Sequence, residues 1–164
     1  MTAQTDMIFN ILAIDEHFFT MVIRICIAIV LCGAIGFERE IKHQDAGFRT
    51  HMLVGVGACS MMLLSIYGFQ QFSHVYPNAD PTRIPSYVIS SLGFLCAGTI
   101  IVRGANVRGL TTAASIWIVA CIGLIVGAGM IGIAIILTII VLISLFFIKK
   151  FEKRFEEGAA DKNN

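Results

Sequence analysis

Between Gly36 and Thr50 the chain reads GFEREIKHQDAGFRT, and six of these side chains are charged: Glu38, Arg39, Glu40, Lys42, Asp45 and Arg49. Carboxylates and guanidiniums at this density can pair with one another, hold a hydrated cation, or simply carry charge in water. Glu38 and Arg49 each abut an apolar stretch, where water thins and a salt bridge gains strength. They are expected to pair across the connection. Mg²⁺ keeps several of its waters and needs only one or two protein carboxylates. Glu38 is therefore the candidate metal ligand, although nothing in the spacing demands a metal. Lys42, His43 and Asp45 read as a solvated turn. Within the stretch, Glu38, Arg39, Arg49 and Thr50 are the residues expected to matter.

The remaining charges are few. Arg24 stands six residues into an apolar run, about 9 Å deep by helix rise. A charge at such depth costs up to about 3 kcal/mol on insertion scales, so it either snorkels to the surface or pairs with Asp80. Arg83 follows Asp80 closely. Further on, RGANVRGLTTAA sets Arg103 and Arg108 beside Thr111 and Thr112. Those hydroxyls are expected to cap a helix, and the backbone N–H groups there to suit an anion. The five cysteines, Cys26, Cys32, Cys59, Cys96 and Cys121, are scattered through apolar segments without metal-ligand spacing and read as packing residues. G-x-S-x-G, P-loop, H-E-x-x-H and dinucleotide fingerprints are all missing. The chain therefore reads as no enzyme, with no catalytic residue and no cofactor. No basic cluster with interleaved aromatics suggests a nucleic-acid partner.

The elements that must position these groups are membrane helices. Apolar residues make up 57% of the 164, charged residues 14%, and mean hydropathy is +0.82. An ordinary soluble domain carries about 25% charge. A membrane helix needs about 20 mostly apolar residues. Spans are expected over 18–37, 50–72, 81–102, 110–126 and 129–148, inside a transmembrane domain of 18–148. Asp80 and Pro81 supply a start signal for the third. Gly127–Gly129 separates the last two. A single helix over 110–148 would extend about 58 Å, nearly twice the hydrocarbon thickness. Residues 1–17 form a lead without a basic n-region, and their apolar run 7–14 is an interfacial helix or disordered. Residues 149–164 form a charged cytoplasmic tail. Lys and Arg set orientation. With five spans, ten of the twelve fall on one side, with Arg83 opposite and Arg24 within a span. The expected fold is thus an all-α bundle of five transmembrane helices, N-terminus outside and C-terminus in the cytoplasm.

Helices associate in lipid through close backbone contact. Small residues recur at four-residue spacing: Ala28, Cys32 and Gly36; Gly55 and Cys59; Gly93 and Ala97; Gly123 and Gly127. Such spacing lines one helix face. Gly93, Gly98, Gly123 and Gly127 are the expected packing glycines. Contacts within the chain are the first expectation, and a homo-oligomer seam the second.

Taken together, AIGFERE, AGFRTHMLVGVGA, DPTRI, LGFLCAGTI and NVRGLTTAASIWIVACIGLIVGAG resemble the MgtC/SapB family of bacterial membrane proteins, in the family's order, over about 24–129. The resemblance implies a multi-pass protein of the bacterial inner membrane, linked to growth under magnesium limitation or acid stress. Some members of the family support survival in macrophages and restrain the F-type ATP synthase, and magnesium transport has been proposed for the family. The resemblance places motif positions on Arg24, Glu38, Arg39, Gly47, Arg49, Thr50, Asp80, Arg83, Gly93, Phe94 and Gly98. They continue over Arg108–Ala114, which includes Thr111 and Thr112, and at Trp117. Phe48 and Cys96 depart from the usual Leu and Gly. Members tied to virulence carry a soluble C-terminal domain, and the tail here is too short to fold alone. The expectation is a regulator of magnesium homeostasis or stress adaptation, working through another membrane protein or itself. A Mg²⁺ or proton pathway is the alternative. Partners are the bilayer, such a protein, and Mg²⁺.

Overall fold

The computed structural model of the chain describes residues 17–68 and 80–160, with side chains as far as Phe146. The lead over 1–16, the end of the second expected span at 69–72 and the tail over 161–164 lie outside the described residues.

Five helices follow one another: α1 (Phe18–Ile41), α2 (Phe48–Leu63), α3 (Arg83–Ala97), α4 (Leu110–Gly127) and α5 (Ile131–Ala160). A π-helical turn over Leu64–Gly68 prolongs α2. A small antiparallel hairpin, β1 (Ile101–Arg103) and β2 (Asn106–Arg108), joins α3 to α4. Three stretches are long and apolar enough to cross a membrane: Phe18–Ile41, Phe48–Gly68 and Leu110–Gly127. The apolar part of α5, Ile131–Phe146, is shorter. Three expected boundaries change, the first where α1 runs past 37 to Ile41. The third span was expected to reach Val102, but α3 ends at Ala97, and Ile101 and Val102 pair with Arg108 and Val107. The last helix continues past 148 to Ala160.

The bundle is apolar outside and partly polar within. Phe94 is 89% exposed and Phe19 70%, whereas Glu38, Arg39, His51, Ser65, Thr112, Ser115 and Thr138 are buried. Water would invert that arrangement; lipid favours it. The chain is an all-α membrane helix bundle.

Its core lies where α1, α2 and α4 converge. Cys32, Cys59, Val119, Ile122 and Val126 are fully buried there. A Cβ on Gly55 would fall on the Cys32 sulfur of α1, and a Cβ on Gly123 would fall on the Gly55 carbonyl oxygen. On Gly127 it would meet Met62 Cβ at 2.7 Å and the Cys59 carbonyl at 2.8 Å. Gly93 and Gly98 make no such contact with the described residues. Gly93 has open space around it, and Gly98 meets only its own turn. The reason is angular. Val88, Leu92 and Cys96 face the neighbouring helices, and Gly93 sits one residue, about 100°, away from that face.

Both tight reversals use a left-handed residue. After α1, His43 takes φ 50, and Gln44 N–H bonds Arg39 O while His43 N–H bonds Glu40 O. After α4, Gly129 takes φ 86, and Met130 N–H bonds Ile125 O while Gly129 N–H bonds Val126 O. Both are Schellman ends.

Gly123→Ala forces backbone against backbone and is expected to cost about 1–3 kcal/mol. Gly93→Ala, in open space, is expected to be neutral. Thermal unfolding in detergent checks the pair, and equal midpoints would contradict this packing.

Candidate functional site

A polar cluster closes one end of the three-helix core. Gly36, in the last turns of α1, lets α2 approach so closely that a Cβ there would meet His51 Cβ and Phe48 Cα at 2.8 Å each. That approach buries His51 completely. Its ring bridges two elements: Nδ1 lies 2.8 Å from Gly47 O, and Nε2 lies 2.9 Å from Ser115 Oγ on α4. Gly47 O can only accept, so Nδ1 carries a proton. A neutral ring must then accept the Ser115 hydroxyl proton at Nε2. That hydroxyl also lies 2.8 Å from Thr112 O, its alternative acceptor if Nε2 becomes protonated.

Beside His51, and within electrostatic reach of it, Arg39 Nε donates to Glu38 Oε2 at 2.5 Å, with both side chains 4% exposed. Neighbours in a helix do not naturally face each other, so both must turn inward to meet. The other carboxylate oxygen, Glu38 Oε1, is buried without a partner among the described residues. Such a group costs about 1–3 kcal/mol, more when charged. The expected Glu38–Arg49 pair does not form, and Arg49 is exposed. Arg49 lies two residues, about 200°, from inward-facing His51. Glu40 takes the hairpin role instead, accepting from Phe48 N–H at 2.7 Å. Lys42 lies over the Phe146 ring at 5.5 Å.

Arg24 is 14 residues from Glu38 along α1, about 21 Å. It does not pair with Asp80. Nη1 donates to Gly127 O at 2.7 Å, at the C-terminus of α4, where the helix dipole favours a cation. Its guanidinium also lies 5.7 Å from the Tyr67 ring centroid. A side chain on Gly129 would collide with it, since a Cβ there would lie 2.8 Å from Nη2. Asp80 turns back on its own segment, accepting from the Thr82 hydroxyl at 2.7 Å and Thr82 N–H at 2.8 Å. These bonds, the hydroxyl's first, hold its carboxyl below the usual range. Arg83 is exposed nearby.

At the first end again, Thr111 and Thr112 do not cap α4. Its N-cap is Gly109, φ 86, without a side-chain bond. Thr112 is buried and Thr111 exposed. Arg108 is exposed on β2, and Thr50 is half-buried on α2. The sequence-selected residues therefore fall into three groups: Glu38, Arg39 and Thr112 in the buried cluster; Arg49, Thr50, Arg108 and Thr111 around its rim; Arg24, Asp80 and Arg83 at the far end. Sequence reasoning missed His51, Ser115 and Tyr67. Four-residue spacing carried the signal for the first two: His51 precedes Gly55 and Cys59, and Ser115 precedes Val119, Gly123 and Gly127.

As for metal ligands, the Glu38 oxygen that is not orphaned already holds a guanidinium. No three His, Cys, Asp or Glu side chains converge among the described residues.

The family model for MgtC matches residues 25–154, most of the chain. The chain belongs to the MgtC family. It is 44% identical over 125 residues to Escherichia coli K12 YhiD, named for a proposed role as a magnesium transporter, covering 74% of this chain and 58% of that protein. It is 43% identical over 115 residues to Protein MgtC of Brucella abortus, covering 70% of this chain and 45% of that protein. An uncharacterised Haemophilus influenzae protein is 38% identical over 125 residues, covering 74% and 52%. The chain thus spans about half the length of the curated relatives it matches. No solved structure matches it.

Within this MgtC-family chain, removing one member of the buried pair leaves the other charge uncompensated. Glu38→Met and Arg39→Met are each expected to cost about 3–5 kcal/mol, and the double substitution less than either. Unfolding in detergent reads the order; a double variant worse than both singles would refute it. His51, when neutral, is expected as the Nδ1–H tautomer, visible in ¹⁵N spectra of labelled histidine against a His51→Gln reference. An Nε2–H ring would contradict the bonding described.

Proposed function

We propose that this chain is a non-enzymatic regulator in magnesium homeostasis or low-magnesium and acid-stress adaptation, acting by contact with other membrane proteins in the bacterial inner membrane. The five helices are taken as spans, N-terminus outside and C-terminus in the cytoplasm, which gathers ten of the twelve Lys and Arg on the inner side.

The observation that carries the contact reading is the sealed core. Between the polar cluster and Arg24, the interior is filled by Cys32, Cys59, Val119, Ile122 and Val126. Helix backbones touch at Gly55 and Gly123. Ion pathways are lined by polar groups or water, whereas the side chains that fill this stretch among the described residues are apolar. The outward face of α3 adds support. Ser90, Gly93 and Ala97 are exposed there, whereas the small faces of α1, α2 and α4 are used in packing. Such a face suits another apolar helix, from a second copy or a different protein.

Transport of Mg²⁺ or protons is the second reading. The YhiD name motivates it, and the unpartnered Glu38 Oε1 gives it a foothold. The Arg39 guanidinium bonded to the same carboxylate opposes a cation there.

Liposomes containing the purified chain, with a Mg²⁺ dye and a pH dye inside, are expected to show no flux above empty liposomes. Flux abolished by Glu38→Gln would overturn the regulator reading in favour of transport. A photo-crosslinking residue at Gly93 in native membranes is expected to yield a defined adduct with a membrane protein. Lipid adducts alone would count against the contact reading.

A further inference from the structure

The hairpin between α3 and α4 belongs to neither the core nor the buried cluster. Its register sets Val102 opposite Val107 on one face, and Ile101–Arg108 with Arg103–Asn106 on the other. All of these residues are exposed; Val102 is 65% and Val107 48% exposed. Leu110, just beyond, is 57% exposed. The element is therefore two-faced, valine on one side and guanidinium on the other.

Its depth follows from its neighbours. The 18 residues of α4 extend about 27 Å, close to the roughly 30 Å hydrocarbon core. Leu110 consequently starts at the boundary, and the hairpin before it projects among the headgroups. The backbone chemistry agrees. A two-stranded ladder leaves its outer N–H and C=O groups unpaired, which hydrocarbon does not tolerate. The valines would be poorly placed in bulk water, but at the interface they rest against acyl chains while arginines reach phosphate.

Among the described residues, neither Arg103 nor Arg108 takes part in a side-chain hydrogen bond or ion pair, although Asp45 lines the same cavities. One cavity of about 280 Å³ is bounded by Asp45, Ile101, Arg103, Asn106 and Arg108. A second, of about 450 Å³, runs from Arg108 to Thr112 against the α1–α2 turn. Two guanidiniums and an amide against one carboxylate leave net positive charge, and guanidinium is shaped for bidentate phosphate binding.

We propose that this hairpin is a binding site for anionic phospholipid, in which Arg103 and Arg108 hold the headgroup phosphate and Val102 and Val107 rest at the acyl boundary. The site fastens the start of α4, and with it Thr112 and Ser115 of the buried cluster, to the lipid surface.

The test uses the full chain in mild detergent, titrated with short-chain phosphatidylglycerol or phosphatidylcholine and read by native mass spectrometry. The wild type is expected to prefer phosphatidylglycerol. At the usual worth of a basic side chain near an anionic surface, R103Q/R108Q weakens that binding about 30-fold. K42Q/R49Q removes two charges from the same end and is expected to leave it nearly unchanged. R103K/R108K keeps both charges and is expected to retain the preference at reduced affinity. Melting midpoints should match among the wild type, R103Q/R108Q and R103K/R108K, since Arg103 and Arg108 are exposed and without a side-chain partner among the described residues. Equal phosphatidylglycerol binding by wild type and R103Q/R108Q overturns the proposal. So does equal affinity of the wild type for the two lipids, or loss of preference in R103K/R108K. Displacement by millimolar inorganic phosphate would make this a free-anion site and overturn the lipid assignment.

Discussion

The register of this bundle is set where α2 and α4 touch backbone to backbone and α1 packs against them through Cys32. Gly55 is at the centre of that contact, with Cys32 on one side and Gly123 on the other. In lipid, apolar side chains gain little by leaving one neighbour for another, so close packing supplies the cohesion. Backbone contact is also unforgiving. It permits one rotation and one register, since a step of one residue turns a helix by about 100°. From Gly55 that register carries His51 onto α1 at Gly36, and Cys59 and Met62 onto Gly127. The polar groups at both ends are positioned by an apolar contact between them.

The two ends handle charge differently. At one, Arg24 is matched to a backbone carbonyl at a helix C-terminus and to the face of Tyr67. Neither partner needs a counter-charge, so Asp80 is released to its local turn. At the other, Glu38 and Arg39 are matched to each other, and the match is incomplete. Replacing such a pair by apolar residues is often neutral or stabilising, so stability gives little reason for its presence. The first end reads as architecture. The second holds a buried carboxylate oxygen, a histidine and a hydroxyl with two acceptors, all at one end of the three-helix core.

Much of this was legible in the sequence where helical geometry does the selecting. Four-residue spacing pointed to Ala28, Cys32 and Gly36, to Gly55 and Cys59, and to Gly123 and Gly127, because 3.6 residues per turn brings such residues to one face. Gly127–Gly129 was legible as a reversal because glycine takes positive φ freely. What resisted reading involved partners that sequence does not display. The acceptor for Arg24 is a backbone carbonyl, invisible in a list of charges. Charge complementarity admitted Glu38 with Arg49, but the inward face of α2 was already fixed by His51 and Gly55, which turned Arg49 out. The spacing of Gly93 and Ala97 was genuine, yet α3 packs through the adjacent face of Val88, Leu92 and Cys96. Ile101 and Val102 continued an apolar run, and hydropathy cannot distinguish a helix end from a strand of β-branched residues.

The charged stretch from Gly36 to Thr50 holds three devices in succession. Glu38 and Arg39 face the core, Glu40 caps the next helix by accepting from Phe48 N–H, and Arg49 faces outward. Helix α4 carries Thr112 and Ser115 in its first two turns, four and seven residues after Arg108 of the hairpin. The Ser115 hydroxyl has two acceptors, His51 Nε2 and Thr112 O, and a single proton to give. The proton goes to His51 Nε2 only while that nitrogen carries none of its own, so the bond between α2 and α4 depends on the tautomer of the ring.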